Sequence, residues 1–145
     1  MVCLGNICRS PLAEGILAHK TQHIDVTVES AGTAGYHIGK LPDERSIEIA
    51  KKHEIDISNQ KARQFSRADF DEFDIIYAMD TNNFAHLTSL TENQNERDKI
   101  RMILNEINPE SFESVPDPYY GGDNGFHIVY NMLDKACNKI ITQIE

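Results

Sequence analysis

Cys3 and Arg9 stand six positions apart, with Leu4-Gly5-Asn6-Ile7-Cys8 between them and Ser10-Pro11 after them. That spacing suits phosphoryl transfer through a thiolate. A loop closing from Cys3 onto a helix start near Ser10 can aim successive backbone N–H groups at one point, with the positive end of the helix behind them. Gly5 and Asn6 are residue types that tolerate the left-handed backbone such a nest requires. The planar guanidinium of Arg9 can grip two phosphate oxygens at once. The same donors favour the thiolate of Cys3, which is the attacking form, and Ser10 can add a hydroxyl donor to it. Taken alone, the Cys-x5-Arg pair also fits a small buried residue in a turn and a surface charge. The glycine, asparagine, serine and proline around it all serve one anion-binding geometry, and they favour chemistry.

Attack on a phosphate ester expels an alkoxide or phenolate, which leaves faster when protonated. One carboxylic acid near the loop is therefore needed. Asp117, followed by Pro118-Tyr119-Tyr120-Gly121-Gly122, is the candidate. Without the N-terminal loop this segment reads as a turn; with it, the two complete a nucleophile–acid pair. The 14 basic and 23 acidic side chains leave a formal net charge of −9. Such a balance argues against a nucleic-acid binder or a binder of anionic membranes, which would need a basic face, but a small anionic substrate needs only one positive pocket. Six histidines are scattered without metal-ligand spacing, so neither a metal nor a cofactor is expected. Three irregularly spaced cysteines, no signal peptide and no apolar run near 20 residues place the expected chain in the cytoplasm.

The elements that would position these residues alternate in type. Ser10 is a good N-cap and Pro11 suits a first helical turn, with Leu12, Ala13, Ile16 and Leu17 as the apolar stripe. Residues 25–30, DVTVES, read as a strand. Residues 46–53 read as a helix with Ile47, Ile49 and Ala50 inward. Residues 73–79, FDIIYAM, read as a strand buried on both faces. Residues 82–90 and 96–106 are polar and helix-compatible, and 112–115 suggest a last short strand. Val129, Leu133, Ala136, Cys137, Ile140 and Ile144 mark the inner stripe of a long C-terminal helix, which makes Cys137 a core residue. Strand alternating with helix predicts an α/β fold with a parallel sheet.

Residues 2–15, VCLGNICRSPLAEG, resemble the signature loop and first helix of the low-molecular-weight protein tyrosine phosphatases. The resemblance runs along essentially the whole chain, through SAGT at 30–33, Tyr36, the Asp43-x-Arg45 pair, ARQF at 62–65, AMD at 78–80 and DPYYGG at 117–122. It implies a three-layer α/β sandwich with a four-stranded parallel sheet, and hydrolysis of phosphotyrosine through a phosphocysteine, without metal. In that chemistry Cys3 attacks, Arg9 and the amides of residues 4–10 stabilise the phosphoryl oxygens, and Asp117 shuttles the proton. Tyr36, Tyr119 and Tyr120 would wall a deep pocket suited to an aromatic ester, and Ile7 stands where relatives selective for phosphoarginine carry Thr. Asn6 and Ser30 would hold the loop in shape, and Asp43, Arg45 and Asp80 would support it; each is equally readable as a surface or capping residue. Cys8 would pair with the nucleophile against over-oxidation, or simply pack. Gln60 departs from the histidine usual in the supporting network. The implied partners are phosphotyrosine proteins, by analogy a tyrosine kinase or its targets, with the chain a monomer or weakly self-associating. A thiol-dependent arsenate reductase shares the loop but needs further cysteines, and residues 80–116 have none. A non-catalytic phosphotyrosine-binding relic would be expected to have lost some of the catalytic residue types, and all are present.

In the family several apolar residues precede the cysteine in a central strand, whereas only Met1 and Val2 do here. The expectation is one domain over 1–145 whose first strand is truncated or starts upstream. Joining an apolar strand-length segment to Met1 is expected to raise the melting temperature.

Overall fold

Strand and helix alternate from the start of the chain, as the patterning predicts. The computed structural model describes residues 1–120 and 123–145, without the side chains of Tyr120 and Asp123. β1 (Val2–Cys3) leads through the loop 4–8 into α1 (Arg9–Lys20), followed by β2 (Ala31–Gly32), α2 (Glu44–Lys52) and α3 (Asp69–Glu72). Then come β3 (Ile76–Ala78), α4 (Thr81–Ser89), α5 (Gln94–Arg97) and β4 (Ile100–Met102). Two 3₁₀ turns, Ile103–Glu106 and Pro118–Tyr120, precede α6 (Asp123–Ile144).

The four strands form one parallel sheet in the order β2-β1-β3-β4. β1 is only two residues long, yet it is an inner strand: Val2 pairs with both Ala31 and Ala78. One face of the sheet is covered by α1, α2 and α6, whose Leu12, Ile16, Ile49, Val129, Leu133 and Ile140 are buried around Cys3 and Tyr77. The other face packs Val2, Phe65, Phe70, Ile76 and Leu87 from α3, α4 and the strands. Helices on both faces explain why Ile76, Tyr77 and Ala78 are all buried. Cys137 lies fully inside, where burial pushes its thiol up to about 12.

Three elements differ from the sequence reading. Residues 25–30 are irregular and form no strand, and the strand is displaced to Ala31–Gly32. A strand needs a neighbour, and β1 reaches back only as far as Met1, which donates its terminal N–H to Glu29 O and accepts from Ala31 N. The block 96–106 is not one helix; it holds the end of α5, the fourth strand and a 3₁₀ turn. Ile100 and Met102 are buried with Arg101 exposed between them, an alternation too short to stand out in a polar segment. Residues 112–115 are irregular, so the sheet's edge is β4 instead.

Candidate active site

α1 begins at Arg9, two residues earlier than the patterning suggests, and Cys8 rather than Ser10 is its N-cap. Ser10, fully buried in the first turn, turns its hydroxyl toward the loop instead. Its Oγ lies 3.0 Å from Cys3 Sγ. Asn6 is the left-handed residue of the loop, at φ 56°. That conformation lets its backbone N–H donate to Sγ at 3.3 Å. Gly5 does not take the left-handed angle, and a Cβ there would stand 2.9 Å from the ring of His37, which would have to shift.

The loop is held from behind. Asn6 Nδ2 donates to Ser10 Oγ at 2.7 Å and to Ser30 Oγ at 3.0 Å, and its Oδ1 accepts from Arg63 N at 3.0 Å. Thr33 N and Ala34 N donate to the carbonyls of Cys3 and Leu4, and Asp43 N donates to Ile7 O at 2.7 Å. Ser46 Oγ donates to Cys8 O. Each of these ties uses a carbonyl or side chain of the loop and none of its backbone N–H groups.

Arg9 is almost wholly buried, and one edge of its guanidinium is spoken for. Nη1 donates to Asp80 Oδ2 at 2.6 Å and to Val115 O at 3.1 Å. Asp80 in turn caps α4 by accepting from Asn83 N at 2.7 Å, which anchors the pair to the scaffold. Nη2 lies 3.6 Å from Asp117 Oδ2, and Asp117 Oδ1 accepts from Tyr119 N. Cys3, Arg9 and Asp117, the first and last 114 positions apart in the chain, thus meet at one cavity of about 300 Å3. It is lined by Cys3, Leu4, Gly5, Ile7, Cys8, Arg9, Tyr36, His37, Asp117 and Tyr119, of which Cys3, Cys8 and Arg9 are buried and Leu4, Tyr36 and Tyr119 exposed.

Most of the expected site residues take part. Asn6 and Ser10 lie behind the loop and not in the cavity wall. Tyr36 stands at the mouth, three-quarters exposed. The Tyr120 side chain and Gly121-Gly122 lie outside the described residues. Asp43 caps α2 through Arg45 N, and its carboxylate takes Arg45 Nε at 3.0 Å and Nη2 at 3.1 Å. Burial opposes ionisation of Asp43, but the hydrogen bonds from Arg45 outweigh it and hold the carboxyl below the usual range. Arg45 also donates to Tyr119 O and lies over the Tyr119 and Phe126 rings, so it braces the acid loop. Burial, reinforced by the charge of Asp43, pushes the Cys8 thiol up to about 12 and keeps it from competing with Cys3. Gln60 gives its Nε2 to Pro11 O and does not enter the network around Asn6.

Sequence reasoning missed His37, the Val115 carbonyl, Arg63 and Glu14, whose Oε1 accepts from Ser30 Oγ at 2.7 Å. The only hint for Glu14 was its place one helical turn beyond Ser10. A larger cavity, about 620 Å3, opens beside Met1 between residues 25–31 and 72–77. It gathers Asp25, Glu29, Glu72 and Asp74, a poor setting for a phosphate, and volume alone would have pointed to the wrong place. Among the described residues no helix is long and apolar enough to cross a membrane.

The whole chain, residues 1–145, matches the family profile described as low molecular weight phosphotyrosine protein phosphatase. Among curated relatives, the low molecular weight protein-tyrosine-phosphatase YfkJ of Bacillus subtilis is 38% identical, covering 99% of this chain and 93% of that protein. A solved protein tyrosine phosphatase from Entamoeba histolytica, with Hepes in its active site, superimposes with a TM-score of 0.91 at 36% identity over 99% of this chain and 93% of its own. The Drosophila arginine phosphatase DARP has the same architecture, with a TM-score of 0.90 at 31% identity over 99% and 95% of the two chains. With a cysteine, an arginine and an aspartate converging on one anion-shaped loop, and a match along its full length, the chain belongs to the low molecular weight phosphotyrosine protein phosphatases.

Proposed function

We propose that this phosphatase hydrolyses phosphotyrosine in proteins in two steps, through a phosphate carried on Cys3 and without a metal ion. The observation that supports this most is the position of Cys3 Sγ, within reach of the Ser10 hydroxyl and the Asn6 amide and on the floor of a cavity that also holds Arg9 and Asp117. In the first step the thiolate attacks phosphorus, an S–P bond forms, the P–O bond to the phenol breaks, and Asp117 gives its proton to the leaving oxygen. In the second, Asp117 takes a proton from water as that water attacks the phosphocysteine, and phosphate and thiolate are released. Arg9 and the loop amides stabilise the equatorial oxygens in both transition states. Side chains and backbone of this chain supply nucleophile, cation and acid, so chelation by EDTA is expected to leave the rate unchanged.

At rest Asp117 is oriented by Arg9 Nη2 and Tyr119 N. A phosphate dianion settling in the loop competes for the same edge of Arg9 and brings negative charge beside the carboxyl. The rim of Tyr36 and Tyr119 lengthens the cavity toward solvent, which suits an aryl ester over a short phosphoserine. Ile7 in the lining favours phosphotyrosine over phosphoarginine, the substrate class named for the Drosophila neighbour.

Asp117→Asn is expected to lower kcat on a phosphotyrosine peptide by about 10²- to 10³-fold, the usual size of a general-acid contribution. With p-nitrophenyl phosphate, whose phenolate leaves without help, formation of the phosphoenzyme should slow far less. Equal slowing of that step for both esters would remove Asp117 from the acid role. A phosphoarginine peptide turned over faster than the phosphotyrosine one would overturn the substrate assignment.

A further inference from the structure

Asn6 governs both donors to the nucleophile. Its backbone N–H reaches Cys3 Sγ directly, and its side chain sets the hydroxyl of Ser10. The amide cannot be flipped, because Arg63 N–H donates to Oδ1, which leaves both N–H groups of Nδ2 for Ser10 and Ser30. Each serine oxygen therefore receives a hydrogen bond and has its own proton to give. With Cys3 as a thiolate, which has no proton to donate, the Ser10 hydroxyl is the donor to Sγ, 3.0 Å away. Ser30 gives its proton to Glu14 Oε1 at 2.7 Å. The run of bonds from Cys3 through Ser10, Asn6 and Ser30 ends on one carboxylate, in a half-buried position on α1.

Resting on the assignment of Cys3 as nucleophile, we propose that Glu14 is a positioning residue: as an acceptor it holds the Ser30 proton away from Asn6 and so keeps the hydrogen bonds directed toward the Cys3 thiolate. If the acceptor is removed, the buried Ser30 hydroxyl, 8% exposed, must turn to find another. Asn6 then loses one of the two oxygens that hold it in its left-handed conformation. The groups facing Glu14 are the Ser30 hydroxyl, the Met1 ammonium, Glu29 and Arg63. Burial raises the Glu14 carboxyl above its ordinary range, with the Ser30 bond acting against that shift. A carboxylate kept there against burial is consistent with a task beyond solubility.

The test is the pH dependence of Cys3 alkylation by iodoacetamide, read with kcat/KM for p-nitrophenyl phosphate, on the full chain. Glu14→Met, close in volume but unable to accept, is expected to move the alkylation midpoint up by about one pH unit, the scale of one hydrogen bond to an ion. Its kcat/KM near pH 6 should fall about tenfold. Glu14→Gln keeps an acceptor oxygen and should recover most of both. An alkylation profile for Glu14→Met superimposable on the parent's, whatever happens to its melting temperature, would overturn the proposal. Should Glu14→Met fail to fold, Ser30→Ala cuts the same path, and an unmoved midpoint there is equally contrary. If instead alkylating Cys3 in the parent leaves hydrolysis intact, it is the nucleophile assignment that has failed.

Discussion

Cys3→Ser is expected to fold like the parent and to hydrolyse p-nitrophenyl phosphate slower by about five orders of magnitude, the size of loss seen when a nucleophile is removed from a working set. The oxygen is smaller than sulfur and can keep the contacts to Ser10 Oγ and Asn6 N, so packing around the fully buried position changes little. What is lost is the anion. A serine hydroxyl stays protonated at neutral pH, and no base stands beside position 3 to take its proton: the neighbours are a hydroxyl and an amide that donate. Phosphate affinity should survive, because the loop amides and Arg9 are untouched. A variant that binds phosphate, melts within a few degrees of the parent and does not turn over would separate the chemical role of Cys3 from a structural one. Retention of more than about a hundredth of the activity would remove Cys3 from the chemistry.

Arg9→Lys carries the next largest effect, a fall in kcat of about three orders of magnitude. Charge is preserved, so a site needing only a positive point would tolerate the change. Here the guanidinium works on two sides at once. Nη1 is fixed by Asp80 Oδ2 and Val115 O, while Nη2 stands 3.6 Å from Asp117 Oδ2 and Arg9 lines the cavity. An ammonium has three donors on one atom and cannot satisfy Asp80 and Val115 while also spanning two phosphate oxygens. Settling on Asp80, a lysine would leave the transferring group; settling in the loop, it would leave the half-buried Asp80 without its cationic partner. KM should rise less than kcat falls, because the loop amides still bind the ground state. A loss of only a few-fold in kcat would mean that charge alone suffices.

Legibility of this site in the sequence followed from how locally each part is built. The loop 3–10 is contiguous, so Cys3, Asn6 and Arg9 could be read together as one anion-binding set, whereas Gly5 and Ser10 were read for the wrong reason: Gly5 is not left-handed and Ser10 is not the N-cap. Asp117 could be inferred only because a leaving group needs an acid and a Pro-Tyr-Tyr turn offered one. The supports were half legible: Asp43, Arg45 and Asp80 come from short motifs, yet their work with Tyr119 O and Arg9 depends on loops that meet only in the folded chain. Glu14 and Arg63 lie within such motifs too, but no role could be read for them, because their partners Ser30 and Asn6 are 16 and 57 positions away. The same limit explains the strands. Residues 25–30 have the composition of a strand but no neighbour to pair with, whereas Ile100–Met102 has a neighbour and almost no pattern. Pairing, and not propensity, decided both.

The phosphocysteine is the central claim, and trapping it is the most direct measurement. Asp117→Asn mixed rapidly with p-nitrophenyl phosphate and quenched in base should show a burst of about one nitrophenolate per chain, with the phosphate located on Cys3 by mass spectrometry. Turnover with no burst, or with phosphate on any residue other than Cys3, would contradict it.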